Sequence, residues 1–274
     1  MTNVDQNMMT SSSLLPEIEH KEVEEVCNLH DVHLIEFANR VFCPECAKEL
    51  TEQRSKEIVE KETEAYYLKE KRYIKQSIYS DGTLKKATFD SYMTDDKETA
   101  ENKQKARLLA GSYLKGETFN VIFTGKVGTG KSHLAMSMLQ AVNDHSNPFK
   151  KCLFVSVDEL ISLLRYSYSN KETMAENELR RLCVDADLLV LDDLGAEVGT
   201  ITTDKSASND TARLINAIVT GRMDKPTIFT TNLNSKQIHK MYDERIASRI
   251  FKGVNKDRII KFTETKDKRN QIEF

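Results

Sequence analysis

Short apolar runs alternate along most of the chain with segments whose apolar residues recur at helical spacing. Five such runs predict buried strands: Val121–Phe123, Cys152–Val157, Leu188–Leu194, Thr227–Asn232 and Arg258–Phe262. The segments between them predict helices after residue 131, from a cap at Asp158, over residues 172–184 and up to Gly221. Strands that alternate with helices predict a doubly wound parallel sheet, which binds its ligand at the carboxyl ends of the strands.

The N-terminal part of the chain has a different pattern. From Ala47 to about Tyr79 a charged helical run carries only a thin apolar stripe, which favours a solvated connecting helix. Ser80-Asp-Gly-Thr83 interrupts this run and predicts a boundary between two domains, residues 1–79 and 80–274. A further helix is predicted from about Asp96 to Leu114.

The first strand of the alternating region leads into a glycine-rich turn that has the spelling G-x-x-x-x-G-K-S. A strand before this spelling and a helix after it are typical of the phosphate-binding P-loop of nucleotide-binding proteins. Glycines let the backbone close around a phosphate, and successive N–H groups form an anion site that the helix start strengthens. Lys131 is predicted to reach the β- and γ-phosphates of ATP, and the Ser132 hydroxyl to bind Mg²⁺. The predicted nucleotide-binding residues of the turn are Gly125, Lys126, Val127, Gly128, Thr129, Gly130, Lys131, Ser132 and His133.

Polar residues end two of the predicted strands. Asp192 and Asp193 follow the most apolar run, where carboxylates are costly unless they meet a cation or a reacting group. We predict that Asp192 joins Ser132 at Mg²⁺ and that Asp193 polarises the attacking water. Asn232 ends the next strand, where its amide would hold that water or sense the γ-phosphate. In isolation, such residues merely end strands and form turns.

Three of the five cysteines lie in a compact segment near the N-terminus. Cys27 and His30 form a C-x2-H pair, and Cys43 and Cys46 form a C-x2-C pair. Thiolates and an imidazole at this spacing suit tetrahedral zinc, whose binding would supply the folding energy of so short a segment. His33 is a competing ligand, and the alternative is a set of unrelated thiols.

Bulk composition limits the partners and the compartment. The net charge is −3, so any contact with nucleic acid must come from a local basic patch. The N-terminal residues lack the pattern of a signal peptide, and the chain lacks an apolar run of membrane-spanning length. We therefore expect a cytoplasmic protein without membrane contact, in which cysteines bind metal or stay free.

The motifs together resemble the AAA+ ATPases, and most closely the bacterial and phage replicative-helicase loaders of the DnaC/DnaI type. The resemblance covers about Phe89 to Arg269. It implies an AAA+ P-loop domain with a parallel five-stranded sheet and makes Asp192 and Asp193 the Walker B residues. Asn232 becomes sensor 1, while Arg249 becomes an arginine finger with Arg245 beside it. The motifs that carry it are the P-loop, Leu191-Asp-Asp-Leu-Gly-Ala-Glu197, Pro226-Thr-Ile-Phe-Thr-Thr-Asn-Leu233 and Glu244-Arg-Ile-Ala-Ser-Arg249.

The resemblance also implies partners and some departures. It predicts a hexameric DnaB-type helicase bound through the zinc segment, self-assembly on that helicase, and a sensor-2-like Arg269. Asp193 stands where many AAA+ proteins have glutamate, which predicts slow hydrolysis. Only twelve residues follow Phe262, so we expect no C-terminal lid.

Single-stranded DNA is the second partner that the resemblance predicts, at the helices between Asp158 and Val184. Basic and aromatic side chains there could hold phosphates and stack on bases: Arg165, Tyr166, Tyr168, Arg180 and Arg181. Two alternatives remain open at this point, a transposition-associated ATPase of the IstB type and an adaptor that occupies the helicase without hydrolysing ATP.

Overall fold

A computed structural model describes residues 21–169, 176–195 and 209–268. The chain divides into two compact units, Met1–Glu64 and Ala65–Phe274. The second unit starts before the domain boundary predicted at residues 79 and 80, because the preceding residues pack onto its sheet. The Tyr73 hydroxyl donates to the Leu182 carbonyl at 2.8 Å, and Ile78 pairs with Val155 in a parallel bridge. Among the described residues, none of the helices is both long and apolar enough to cross a bilayer.

The first unit contains a small antiparallel sheet in the order β1-β2-β3. Its elements are β1 (Lys21–Val26), β2 (His33–Phe37), β3 (Arg40–Phe42) and the start of α1 (Pro44–Lys71). Proline suits the first position of α1, because its N–H would lack a helical partner there in any case. The predicted helical run to Tyr79 is shorter in the structure: α1 ends at Lys71, and a 3-10 helix (Arg72–Gln76) follows.

A five-stranded parallel sheet forms the centre of the second unit, in the order β5-β6-β7-β4-β8. All five predicted strands are present, and the parallel arrangement is confirmed. Strands covered on both faces read as nearly continuous apolar runs, which is the pattern seen in the sequence. The strands are β4 (Val121–Gly125), β5 (Cys152–Ser156), β6 (Leu188–Asp192), β7 (Thr227–Thr231) and β8 (Ile259–Phe262).

Helices cover both faces of this sheet and enclose two apolar clusters. One cluster packs the helices over residues 97–114 and 131–145 against the sheet, and the other packs the later helices against the opposite face. The helix predicted to be capped by Asp158 begins at Val157, so Asp158 lies in its first turn. The helices are α2 (Lys97–Leu114), α3 (Lys131–His145), α4 (Val157–Ser169), α5 (Glu176–Asp185), α6 (Asn209–Gly221), α7 (Ser235–Met241) and α8 (Glu244–Ile250).

A buried arginine fastens the start of β7 to the end of α5. Arg222 is 3% exposed, and its guanidinium donates to the carbonyls of Cys183, Ala186 and Pro226 at 2.5–2.8 Å. Burial lowers its pKa to about 10, which still leaves it charged at neutral pH. Arg222 therefore fixes the start of β7, the strand whose other end leads into Asn232.

Candidate nucleotide and metal sites

The glycine-rich turn joins the end of β4 to the start of α3. Gly125, Gly128 and Gly130 all have positive φ, at 152°, 77° and 92°. A side chain at Gly125 would collide with Phe262, since a Cβ there would lie 2.5 Å from its carbonyl oxygen. Glycine is therefore required both by the backbone conformation and by the close approach of β8.

Lys131 is buried at the centre of the turn, with 4% of its surface exposed. Its ammonium donates to the carbonyls of Gly125 and Lys126, at 3.0 and 2.6 Å, and to Asn232 Oδ1 at 2.8 Å. The P-loop lysine and the polar end of β7 are thus in direct contact. Sequence reasoning predicted both residues for the same site, and the structure brings them together.

The end of β6 is organised by a threonine on the neighbouring strand. Asp192 is 1% exposed and accepts a 2.6 Å hydrogen bond from the Thr230 hydroxyl. The same hydroxyl oxygen accepts from the Asp193 backbone N–H at 2.8 Å, where Asp193 has a φ of 57°. Thr230 therefore holds both carboxylate residues in place. Sequence reasoning missed it, although it lies two residues before Asn232 and so faces the same side of β7.

The Asp192 carboxyl has an unusual electrostatic environment. Burial, followed by the neighbouring charge of Asp193, raises its pKa, and the net value is about 6. Hydrogen bonds from Thr230 and Ser132, and the charge of Lys131, act in the opposite direction. A divalent cation beside Ser132 would stabilise the ionised carboxylate, so this pair could hold Mg²⁺.

An open cleft of about 380 Å³ lies over the turn and the ends of the strands. Its walls include Asp193, Asn232 and the side chains of Tyr92 and Lys268, which sequence reasoning did not assign to the site. The Tyr92 hydroxyl is buried and has no hydrogen-bond partner among the described residues. The glycine-rich turn and the start of α3 contribute further lining residues: Val127, Gly128, Gly130, Lys131, Ser132 and His133.

His133 extends this cleft toward the segment that precedes α2. Its Nε2 lies 3.1 Å from the Thr88 carbonyl and 3.1 Å from Ser91 Oγ, and its ring meets Tyr92 edge-on. Burial lowers the pKa of the imidazole, which favours its neutral form. The only sequence signal for this wall was an aromatic pair, Phe89 and Tyr92, in an otherwise polar stretch.

Several predicted nucleotide residues lie around the cleft rather than in its lining. Thr129 is buried, and its hydroxyl donates to the Lys126 carbonyl at 3.0 Å, which braces the turn. Asp192 lies beneath the lining, beside Ser132. Arg269 lies outside the described residues.

Arg249, the predicted arginine finger, is on α8. Its guanidinium donates to Asn216 Oδ1 on α6 at 2.6 Å, and it is not part of the cleft lining. Arg245, on the same helix, is 84% exposed. The role of both arginines stays a prediction.

The residues predicted to contact DNA lie on α4 and α5. Arg165, Tyr166, Tyr168 and Arg181 are exposed, whereas Arg180 is partly buried. Their role also stays a prediction.

The first unit contains the predicted metal cluster. The ligand atoms of Cys27, His30, Cys43 and Cys46 all lie within 4.8 Å of one another. His30 Nδ1 lies 3.8, 3.6 and 3.3 Å from the three sulfurs, and Cys27 Sγ lies 3.8 Å from Cys46 Sγ. A tetrahedral zinc requires edges of about 3.8 Å between sulfurs and about 3.6 Å between nitrogen and sulfur. The four side chains could therefore hold zinc.

The competing ligand His33 is not part of this cluster. It lies on β2, and its Nδ1 is 3.2 Å from the Val23 carbonyl.

In the cluster itself, a backbone hydrogen bond from Leu29 is the largest cause that lowers the pKa of Cys27 to about 6. The hydrogen bond to Cys27 raises the pKa of His30 to about 9. A bound dication would replace these local contacts as the partner of the thiolates.

Known proteins are similar to this chain in both sequence and fold. The replicative helicase loader DnaC of Escherichia coli strain K12 is 29% identical over 168 residues, which are 61% of this chain and 63% of the relative. The chain thus spans about 50–63% of the length of the curated relatives it matches. A crystal structure of the DnaC helicase loader superposes with a TM-score of 0.54 at 22% identity, covering 67% of this chain and 100% of that one. A crystal structure of DnaI gives 0.52 at 20% identity, covering 68% and 96%.

These likenesses establish a P-loop fold of the kind found in DnaC. A family model provides the broader match, and it covers residues 43–267, including the glycine-rich turn, the end of β6 and Asn232. The chain therefore belongs to the family of IstB-like ATP binding proteins.

Proposed function

We propose that the chain is an ATP-hydrolysing replicative-helicase loader. The observation that supports this most is the contact of Lys131 with Asn232, beside two carboxylate residues held by Thr230. A phosphate-binding lysine, a cation ligand and a water-polarising group then lie around one cleft. That is the set of parts that phosphoryl transfer to water requires.

Each side chain has a definite role in this reaction. The Lys131 ammonium would leave the carbonyls of Gly125 and Lys126 and donate to the β- and γ-phosphates of ATP, and Ser132 and Asp192 would hold Mg²⁺. When bound there, the ion would supply positive charge against the charge that develops on the phosphates. Asp193 polarises the attacking water, and Asn232 orients it.

Self-assembly completes the site in this proposal. Arg249 of one subunit reaches the γ-phosphate of a neighbour and stabilises the charge of the transition state. Its partner Asn216 lies in the same chain, so the contact between them holds the arginine side chain before assembly. Assembly should therefore stimulate hydrolysis.

The two partners are a hexameric DnaB-type helicase and single-stranded DNA, in the cytoplasm. The zinc-binding unit, with Cys27, His30, Cys43 and Cys46, grips the helicase. The exposed basic and aromatic residues of α4 and α5 hold the DNA by phosphate contacts and stacking. The similarity to DnaC supports the helicase as the partner.

The first experiment measures nucleotide binding. A fluorescent ATP analogue with Mg²⁺ should bind the wild-type chain, and Lys131→Ala should abolish binding. Lys236→Ala is the matched control, because Lys236 is an exposed lysine on α7 that does not line the cleft. If Lys131→Ala bound the nucleotide as tightly as Lys236→Ala, the proposed phosphate contact would be wrong.

The second experiment tests the partner. Sedimentation with a hexameric helicase, with and without ATP and single-stranded DNA, should give an ATP-dependent complex. Association with an IS21-type transposase and not with the helicase would contradict the proposal and favour the transposition ATPase. Full loading activity by Lys131→Ala would favour the adaptor that does not hydrolyse ATP.

A further inference from the structure

The residues after β8 form a strap across the glycine-rich turn, defined here as Thr263–Lys268. The Lys268 N–H donates to the Gly128 carbonyl at 3.0 Å. The contact is so close that a side chain at Gly128 would overlap the Asp267 carboxylate. The strap therefore touches the turn at the position where its backbone has a φ of 77°.

A single carboxylate at the start of α2 anchors this strap. Glu98 Oε1 accepts from the backbone N–H and the hydroxyl of Thr263, at 2.7 and 2.6 Å. Its Oε2 accepts from the N–H and the hydroxyl of Thr265, at 2.8 and 2.5 Å, and the Glu264 N–H adds a further contact. Each carboxylate oxygen thus holds one threonine of the strap through two hydrogen bonds.

The other end of the strap is fastened beside the cleft. The Lys268 ammonium donates to the Met93 carbonyl at 2.5 Å, pairs with Asp95 at 3.3 Å and lies 4.6 Å from the centre of the Tyr92 ring. The strap is therefore tied to the α2 side of the cleft at both ends. Its last two residues, Asp267 and Lys268, lie against Gly128.

This arrangement has a consequence for phosphate binding. A P-loop binds anions only when successive N–H groups point inward, which requires its carbonyls to point away. The strap gives the Gly128 carbonyl an outward partner, so this peptide is already oriented before any phosphate arrives. Preorganisation of this kind raises affinity, because the ligand need not supply the ordering free energy.

We propose that Glu98 is a positioning residue for the triphosphate: by holding the strap on Gly128, it keeps the anion-binding turn in its binding conformation. This inference rests on the proposed ATP site. It assigns to Glu98 no contact with the nucleotide. The alternative is a purely structural anchor, which would change stability but not the affinity of folded protein for phosphates.

The test compares Glu98→Ala and Glu98→Gln with Glu101→Gln as the control. Glu101 lies on the same helix and pairs with Lys97 at the surface. We expect Glu98→Ala to raise the Kd for ADP and for ATP with Mg²⁺ by about tenfold or more, as expected when a preordered loop must be reordered by its ligand. Glu98→Gln keeps one acceptor oxygen, so its Kd for ADP and ATP should lie between the values of the wild-type chain and of Glu98→Ala.

AMP provides the readout that separates positioning from stability. It lacks the phosphates that the turn encloses, so its Kd should change little in Glu98→Ala, whereas a general loss of fold would weaken AMP, ADP and ATP alike. If the wild-type chain and folded Glu98→Ala bind ADP with equal affinity, the positioning role of Glu98 is wrong while the proposed function still stands. A wild-type chain that binds no nucleotide overturns the proposed function together with it.

Discussion

Replacing Asp192 by asparagine should make the nucleotide-free protein more stable at neutral pH. The variant Asp192→Asn keeps nearly the same side-chain shape and an oxygen for the Thr230 hydroxyl, but it removes the charge. The carboxyl is 1% exposed, and burial raises its pKa from the usual 3.8 to about 6. A shift of this size corresponds to about 3 kcal/mol of cost for the ionised form in the folded state.

The sign of the pH dependence follows from proton linkage. Below pH 3.8 the carboxyl is protonated in both the folded and the unfolded chain, so the ionisation cost is absent. Between pH 3.8 and about 6 only the unfolded chain loses the proton, so the free energy of unfolding falls as pH rises. The stability advantage of Asp192→Asn should therefore grow from about 1 kcal/mol at pH 4.5 to about 3 kcal/mol at pH 7.5.

Urea unfolding followed by circular dichroism measures this difference, since the chain lacks tryptophan. Asp158→Asn is the control, because Asp158 is an exposed carboxylate in the first turn of α4. A stability difference for Asp192→Asn that stays constant between pH 4.5 and 7.5 would refute the reasoning. With ATP and Mg²⁺ present the order should reverse, because ligand binding stabilises only the chain that keeps its cation ligand.

Three further substitutions test other parts of the structure. Glu49→Ala should weaken zinc binding about 10- to 100-fold in a chelator competition, because the Glu49 carboxylate lies 3.2 Å from His30 Nε2 and orients that imidazole. Glu52→Gln, one helical turn away, is the control and should leave the zinc affinity unchanged. Arg222→Met should lower the free energy of unfolding by about 3 kcal/mol, because several buried carbonyls lose their donor. Arg213→Met, at an exposed arginine, is the control and should change the free energy of unfolding little. Equal urea midpoints for the two variants would contradict this prediction. Thr230→Val should cost about 1–3 kcal/mol in the same assay and slow ATP hydrolysis, because the buried Asp192 carboxylate loses one donor and the Asp193 N–H loses its acceptor. Unchanged turnover would remove Thr230 from the site.

The parts of the site that the sequence predicts are those whose signal is local. The glycine-rich turn lies within eight consecutive residues, Gly125–Ser132, and a buried apolar run marks each strand. The predicted zinc cluster is similar, because the C-x2-C spacing brings Cys43 and Cys46 together where α1 begins. Short-range geometry fixes these features, so patterns of residue type are sufficient to find them.

The parts that were missed depend on contacts between distant segments. Thr230 reaches Asp192 across 38 residues, and Glu98 reaches Thr265 across 167. A threonine in a strand and a glutamate in a first helical turn are common residues, so neither stands out without the fold. The charged run that was predicted to continue to Tyr79 stops at Lys71 for a similar reason. Contacts with β5, such as the Ile78 bridge, outweigh helical propensity there.

The hydrogen bond between Lys131 and Asn232 can couple occupancy of the cleft to the end of β7. A lysine ammonium has three protons to donate, and Lys131 directs them to Gly125, Lys126 and Asn232. A phosphate oxygen can be contacted only if at least one of these hydrogen bonds is released. Two of the three stay within the turn itself, whereas the third is the one that reaches another strand. A triphosphate at Lys131 therefore competes with these three contacts, and one of them holds the end of β7, the strand whose Thr230 positions both carboxylate residues.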